Sequence, residues 1–212
     1  MKKYRLTEET TKVGNRTLYR IQALRDFGNV TKGDIGGYIE SEKNLSQDGN
    51  AWVSGDARVY GDVWVSGDAW VYGNAWVYGN ARVYGNAQVS DNAQVSGDAW
   101  VSGDARVSGD ARVSGNAWVY GDAWVSDNAR VSGDADIKTT GDICSMSGFG
   151  SEYRTTTAFR TKNGDVHVSC GCFFGSLEAF CQRVESTHGN TLYGREYKKM
   201  IEMLKIHFEV EP

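Results

Sequence analysis

The central part of the chain alternates apolar and polar positions in a pattern that repeats every six residues. From residue 51 to residue 134, fourteen consecutive units read Ala, any residue, Val, Ser or Tyr, Gly, and Asp or Asn, with few exceptions. Alternation with period two places Ala and Val on one face of a strand and directs the second and fourth residues outward to water. The Gly and Asx residues favour a turn. Each unit therefore predicts a very short strand and a corner.

Strands this short cannot bury an inner face alone, so successive coils have to stack to form a core. The repeat resembles the hexapeptide repeat of left-handed parallel β-helices, in which an aliphatic residue points inward and a small residue stands two positions before it. That resemblance implies three six-residue units on each triangular coil. It covers residues 33–150, because Ile35 upstream and Ile137, Ile143 and Phe149 downstream keep the phase. We therefore predict a mainly β protein whose body is a left-handed parallel β-helix, a hexapeptide-repeat solenoid.

The first segment, residues 1–32, lacks the repeat and is predicted to be an N-terminal β cap. Its apolar and polar residues alternate on both sides of Gly14 and Asn15, which indicates a hairpin that turns at these two residues. A solenoid needs its open ends covered, so this hairpin is expected to close the first coil.

The last segment, residues 151–212, is predicted to be a small α+β cap for the other end. Asn163 and Gly164 lie between two strand-like stretches and indicate a hairpin turn. A first helix is expected to begin after Ser176 and to stop at Gly189. A second helix is expected to gather its apolar residues on one face, namely Tyr193, Tyr197, Met200, Ile201, Leu204 and Phe208.

The repeat, the N-terminal leader and the segment from Gly171 to Gly189 together resemble uncharacterised hexapeptide-repeat proteins of phage and bacterial genomes. Such proteins are often labelled transferases because of the repeat alone, which is an analogy at the level of the fold. Acyltransferases with this fold typically use a His on or near a coil as general base. Here His167, His188 and His207 all lie outside the repeat, which has no loop excursion. We therefore expect no catalytic residue and no cofactor, although acyl transfer at a subunit interface stays an alternative.

Charge and composition bear on location and partners. The formal net charge of −4 argues against a nucleic acid as partner. The chain has no run of about 18 apolar residues, so a membrane span is not expected. Four Cys residues without a recognisable export signal are typical of reduced thiols, which predicts a cytoplasmic protein, in the host cytoplasm if a phage encodes it.

The spacing of His167, Cys170 and Cys172 invites comparison with a zinc site. On a strand, however, both Cys residues would share a face with Val166 and Val168, whereas His167 would point the opposite way. Ligands that point in opposite directions cannot converge on one ion, and buried Cys usually behaves as a small hydrophobe. We therefore expect no metal site.

Aromatic residues and arginines hold fixed outward positions of the repeat, and with three units per coil they fall into three columns. The first face reads Trp52, Trp70, Gln88, Arg106 and Trp124. The second face reads Arg58, Trp76, Gln94, Arg112 and Arg130. The third face reads Trp64, Arg82, Trp100 and Trp118, with Tyr84 and Tyr120 alongside. Such columns can stabilise the solenoid by stacking and cation–π contact alone, or can also form an interface, since Trp, Tyr and Arg are enriched in binding hot spots.

The leading hypothesis from the sequence is a non-enzymatic solenoid that acts as a rigid oligomerising or binding scaffold. A homo-oligomer, most often a trimer in the families that the repeat resembles, is the expected assembly, with a host protein or a small ligand as a further partner. The resemblance to phage proteins suggests modulation of a host defence system. An acidic mimic of nucleic acid and a nucleotide- or sugar-binding module are further alternatives. The predicted binding residues are Trp52, Trp64, Trp70, Arg82, Tyr84, Trp100, Arg106, Trp118, Tyr120 and Trp124.

Overall fold

The computed structural model describes residues 2–210, so that Met1 and residues 211–212, at the outer ends of the two predicted caps, lie outside the described part. The N-terminal segment forms strands β1 (Tyr4–Val13) and β2 (Arg16–Ala23), which pair antiparallel as the predicted hairpin. Strand β3 (Ile35–Ile39) pairs antiparallel with β2 on one side and, on the other, parallel with the repeat strand that contains Arg58 and Val59. It thereby joins the hairpin to the solenoid.

The fourteen repeat units and the six residues after them form strands of two residues each, one per unit, separated by turns. They are β4 (Trp52–Val53), β5 (Arg58–Val59), β6 (Trp64–Val65), β7 (Trp70–Val71), β8 (Trp76–Val77), β9 (Arg82–Val83), β10 (Gln88–Val89), β11 (Gln94–Val95), β12 (Trp100–Val101), β13 (Arg106–Val107), β14 (Arg112–Val113), β15 (Trp118–Val119), β16 (Trp124–Val125), β17 (Arg130–Val131) and β18 (Asp136–Ile137).

From β4 to β15, each strand pairs parallel with the strand three places further along the chain. This pairing confirms the parallel solenoid and its coil of three units. Trp100 lies opposite Trp118 and Val101 opposite Val119, eighteen residues further along the chain. Three parallel ladders result, with the orders β4-β7-β10-β13-β16, β5-β8-β11-β14-β17 and β6-β9-β12-β15-β18. These are the three predicted faces, here called the first, second and third face. The left hand of the coil stays a prediction from the resemblance.

The core of the solenoid consists of the Ala and Val columns, as the alternation predicts. Ala and Val at positions one and three of the repeat are at most 1% exposed from Ala51 to Val131. Each coil donates its backbone N–H groups to the next coil, for example from Trp100 to the carbonyl of Ala117 at 2.9 Å. The core and the ladder therefore leave the second and fourth side chains of each unit outside, as the in and out assignment requires.

The C-terminal segment forms an antiparallel sheet and two helices. The sheet contains β19 (Ile143–Met146), β20 (Thr156–Arg160), β21 (Val166–Cys170) and β22 (Phe173–Ser176), and the helices are α1 (Leu177–His188) and α2 (Leu192–His207). Ser176 caps α1 by accepting from the N–H of Ala179, and Gly189 ends it with φ of 50°, as predicted. On α2 the predicted apolar face is buried except Tyr193, which faces solvent.

The cap closes the solenoid because Phe159 of β20 lies fully buried in the same cluster as the Ala and Val columns. The ring of Phe174 covers Gly133 in the last coil. Neither of the two helices within residues 2–210 is long and apolar enough to cross a membrane.

Predicted inward positions near the two ends of the solenoid need correction. Ile35 is 52% exposed, whereas Ile39 is buried. Ile39 pairs with Val59, which makes the first coil two residues longer than the others. Phe149 is exposed because the parallel ladder ends at β18. Strand β19 then pairs antiparallel with β20, so the end of the predicted segment 33–150 belongs to the C-terminal sheet.

Candidate functional site

The third face carries the densest group of outward aromatic side chains, with a cation among them. The rings of Trp100 and Trp118 stack at 5.2 Å between centroids and 10° between planes. The guanidinium of Arg82 lies 5.1 Å from the centroid of the Trp100 ring, in the coil before that of Trp100. Trp64 holds the same position one coil before Arg82. Because each residue sits at the same position of its unit, the ladder itself fixes this row.

A second row runs beside the first and contains Tyr84, Ser102 and Tyr120 at the fourth position of successive coils. Tyr84 makes an edge contact with Trp100 at 6.3 Å. Burial raises the pKa of the Tyr120 phenol, and the nearby carboxylate of Asp136 raises it further. The six residues Trp64, Arg82, Tyr84, Trp100, Trp118 and Tyr120 are called the third-face strip below.

Ser102 corrects one expectation from the sequence, since the fourth position is predicted to face water. Ser102 is only 9% exposed, because it lies between Tyr84 of the preceding coil and Tyr120 of the following coil. A small residue between two large ones is covered by them. The outward direction is right, but outward does not mean exposed at this residue.

The strip keeps much of its aromatic surface open. Trp64 is 47% exposed and Trp118 is 39% exposed. The ammonium of Lys162, from the C-terminal cap, lies 4.3 Å from the centroid of Trp118 and donates to the carbonyl of Asn116 at 2.8 Å. The strip therefore combines flat apolar rings with cations that stand on their faces.

The predicted binding residues of the first face differ in how far they are exposed to solvent. Trp52 is only 3% exposed, which corrects its prediction as an outward binding residue. The N-terminal segment folds over it, and Tyr4 and Phe27 make edge contacts with its ring at 6.3 and 5.4 Å. Trp70 is half-buried and packs against the core, whereas Trp124 at the far end of the face is 53% exposed. Arg106 is exposed between them.

The second face holds an aromatic group that the sequence prediction did not include among binding residues. Tyr60 and Tyr78 stack at 5.3 Å with 6° between their planes. Arg58 stands 5.0 Å from the centroid of Trp76, and Arg16 of the N-terminal hairpin stands 5.9 Å from that of Tyr60. The eighteen-residue spacing of the two tyrosines is the signal that could have identified this pair.

Comparison with known proteins finds similarity within the repeat. A family model described as YdcK Beta solenoid repeat matches the chain at residues 51–67, 75–91, 87–103, 93–109 and 105–121, all within the repeat. The chain is a hexapeptide-repeat β-helix protein. It is also similar to a protein named "Uncharacterized acetyltransferase YdcK" from Escherichia coli strain K12, with 39% identity over 61 residues. This match takes in 25% of the chain and 19% of the E. coli protein, so the chain spans about a fifth of that relative's length.

The corners of this β-helix protein carry ladders of side-chain amides and carboxylates. Asn80 donates from Nδ2 to Oδ1 of Asp98 at 2.8 Å, and Asn86 donates in the same way to Asp104 at 2.9 Å. One column alternates without exception over five coils and reads Asp62, Asn80, Asp98, Asn116 and Asp134. An amide next to a carboxylate supplies the donor that two stacked carboxylates would lack. In this column each Asn therefore supplies a donor that Asp would lack, in addition to the turn role that the sequence indicates.

The three His residues of the β-helix protein have separate neighbours in the C-terminal cap. His167 packs edge-on against Phe174 at 5.5 Å, and His188 stacks on Tyr197 at 5.5 Å. Nε2 of His207 lies 3.0 Å from the carbonyl oxygen of Gly141. Within residues 2–210, no group of three or more His, Cys, Asp or Glu side chains is arranged to hold a metal ion.

The cap also contains a small cleft that the sequence did not predict, with a volume of about 290 Å³. Cys170 Sγ accepts from Oγ1 of Thr156 at 3.2 Å and lies 3.8 Å from the hydroxyl of Tyr197. Burial raises the pKa of Tyr197 to about 12, and the neighbouring Cys170 adds to the shift. Cys172 is exposed in the turn after β21, and so leaves the strand face on which the sequence places it.

Proposed function

We propose that this β-helix protein is a non-enzymatic scaffold that assembles with copies of itself through the third-face strip. The observation that carries the proposal is the stacked pair Trp100 and Trp118, continued by Arg82 and the open ring of Trp64. The core of the solenoid is Ala and Val, so these rings are not needed to fill it. Flat, half-exposed rings on a rigid sheet are suited to burial against a partner.

The chemistry of the strip supports a protein partner over a simple stabilising ladder. Trp, Tyr and Arg are the residues that dominate binding energy at protein interfaces. A monomer seldom leaves adjacent large rings in water, since apolar patches of more than a few hundred Å² mark interaction sites. Trp64 and Trp118 keep large exposed fractions at the two ends of the row. We commit to a second and third copy of the chain as partners, because the resembling families commonly pack their β-helices as trimers.

Light scattering on the wild type and on Trp100→Ser with Trp118→Ser tests this proposal. The wild type should have the mass of an oligomer, and the double variant should lose it while circular dichroism stays that of a folded solenoid. Trp124→Ser is the matched control, because Trp124 holds the same position of its unit on the first face. A double variant that keeps the wild-type mass would contradict the proposal, as would a control that loses it.

Acetyl transfer is a second candidate, favoured by the name of the E. coli relative. The segments that the family model matches all lie within the repeat, whereas the three His residues of the chain lie outside it. The candidate residue is His188, which stands beside Tyr197 at the cleft of the cap. Acetyl-CoA binding measured by calorimetry, together with turnover that His188→Ala abolishes, would establish this function in place of the scaffold.

The scaffold proposal includes a location and a task that rest on resemblance. We place the assembly in the cytoplasm, where its four free Cys residues would stay reduced. The resemblance to phage proteins suggests that the scaffold binds a host protein and modulates a host defence system. Capture from host lysate by the wild type, compared with capture by the third-face double variant, tests this point. A partner held equally by both would have to bind another face.

A further inference from the structure

A groove of about 520 Å³ lies on the first face, where the N-terminal segment folds over the solenoid. Its floor is formed by the coils that carry Trp70, Tyr72 and Gln88. One wall is the loop at Gly28 and Asn29. The volume falls in the range of roughly 300–1,000 Å³ that is common for small-molecule sites.

The wall is held in place by close packing. A Cβ on Gly28 would lie 3.1 Å from Cβ of Asn50, so the loop packs tightly against the corner of the solenoid at this glycine. Phe27 packs on Trp52 directly beside this loop. The groove therefore has a rigid floor and a supported wall, and such preorganised sites bind at a lower entropic cost.

Trp70 supplies an aromatic platform in the lining of the groove. It is half-buried and packs against the core, which fixes the ring, and the edge contact with Tyr72 at 6.5 Å fixes it further. Its open part faces the groove together with the Tyr72 ring. An immobilised ring that is still partly open offers a flat surface for stacking.

Polar groups around the platform are amides and hydroxyls. Within residues 2–210, the side chains of Asn29, Ser54 and Gln88 donate and accept no hydrogen bond. Asn50 and Asn86 each use one N–H on the Asp of the next coil. An amide has two N–H donors and a carbonyl acceptor, so these groups can serve hydroxyls that both donate and accept.

The charge of the groove narrows the ligand further. None of its nine lining residues is Lys or Arg, and the single charged one, Asp68, already accepts from Asn50 at 2.8 Å. A phosphate, sulfate or carboxylate would find no cation among these residues. A base would stack on Trp70, but a nucleotide would leave its phosphates unpaired.

We propose that this groove is a binding site for a neutral saccharide. A pyranose ring would lie with its apolar face on Trp70, while the amides of Asn29 and Gln88 and the hydroxyl of Ser54 bond its hydroxyls. The site is on a different ladder from the third-face strip, so it does not depend on the proposed self-assembly. Saccharide binding can therefore be measured even if self-assembly fails, and self-assembly can be measured even if saccharide binding fails.

The test is a printed array of neutral di- to tetrasaccharides of glucose, galactose, mannose and N-acetylglucosamine, beside sulfated, sialylated and uronic acid analogues. Neutral glycans should bind, and calorimetry with the strongest binder should give a Kd that rises about tenfold in Trp70→Ala and in Gln88→Ala. Trp124→Ala and Gln94→Ala are matched controls, because they change the same positions of the unit outside the groove. Both controls should keep the wild-type Kd.

Three results would overturn the site. The array could yield no neutral binder, or anionic glycans could bind more tightly than their neutral counterparts. The neutral binder could also keep its Kd in both groove variants. If Trp70→Ala proves unfolded by circular dichroism, the pair Gln88→Ala and Gln94→Ala decides, since Gln88 is not part of the core.

Discussion

Val101 and its counterparts Val83 and Val119 in the neighbouring coils form a column that water does not reach. Val101→Asp would place a carboxylate in this column without a donor, and an unpaired buried charge costs several kcal/mol. We expect the variant to unfold or to melt far below the wild type in a circular dichroism scan. Arg106→Asp adds the same carboxylate at an exposed position and should melt near the wild type. Equal melting of the two variants would contradict the assignment of inner and outer positions.

The corner glycines are constrained in two separable ways. Gly14 and Gly103 both have positive φ, of 57° and 65°. A Cβ on Gly14 would meet nothing within 4 Å, whereas one on Gly103 would lie 2.9 Å from the N of Gly121 in the next coil. Gly14→Ala should therefore cost only the backbone strain of roughly 1 kcal/mol, and Gly103→Ala clearly more. Urea unfolding measures both, and equal losses would show that coil contact adds nothing.

Which side chains point inward could be predicted from the sequence, but how far the outer ones are covered could not. Val101 follows from the alternation alone. Trp52 and Ser102 occupy outward positions and are nevertheless buried, because the N-terminal segment covers one and neighbouring tyrosines flank the other. The first covering comes from a segment outside the repeat, and the second from units one coil away.

We expect the order of Asp and Asn in the corner column of Asp62, Asn80 and Asp98 to affect the stability of the coils. Asn80→Asp would replace a donor and place three carboxylates, with those of Asp62 and Asp98, in consecutive coils. We expect the melting temperature to fall by a few degrees at low ionic strength and to recover in part in 1 M salt, where screening is strong. Asp98→Asn keeps a donor and an acceptor in register and should have little effect. A loss in Asn80→Asp that salt does not reduce would exclude repulsion as its cause.

The N-terminal cap buries a lysine, which should make its stability depend on pH. The ammonium of Lys3 is fully buried, donates to the carbonyl of Ala51 at 2.8 Å and lies near the Phe27 ring. Burial, and next the charge of Arg25, lowers its pKa from 10.5 to about 8. Between these values the unfolded chain binds more protons, so the free energy of unfolding should rise with pH from about 8 to 10.5, by at most ~3 kcal/mol.

The measurement is urea unfolding across this pH range for the wild type and Lys3→Met. Tyrosines also titrate there, so the difference between the two proteins isolates Lys3. Lys12→Met, at an exposed lysine, is the control and should keep the wild-type slope. A slope in Lys3→Met as steep as in the wild type would assign the pH dependence to other groups.

The elements at the two ends were predictable where local signals mark them. The hairpin at Gly14, the cap at Ser176 and the stop at Gly189 all follow from residues within a few positions. The end of the solenoid did not follow, because Ile143 keeps the phase of the repeat while its strand pairs with β20 instead. Strand β20 lies further along the chain, and the periodicity of the repeat carries no information about pairing with it.

For the whole protein, the three faces have different neighbours although they share one repeat. The N-terminal segment covers the start of the first face and leaves the groove at Trp70 beside it. The hairpin reaches the second face through Arg16 and Tyr60. The third face keeps its stacked Trp pair, and Lys162 of the C-terminal cap lies near its far end. This difference, invisible in the repeat itself, is why we assign self-assembly to the third face.

Sedimentation equilibrium of the wild-type chain from micromolar to millimolar concentration tests that assignment most directly. We expect a mass that approaches three times the 23.3 kDa of one chain as the concentration rises. The matched third-face variant, with Trp100→Ser and Trp118→Ser, should stay near the mass of one chain over the same range. A wild type that remains at 23.3 kDa up to millimolar concentration would contradict self-assembly and leave the third-face strip as a stabilising ladder.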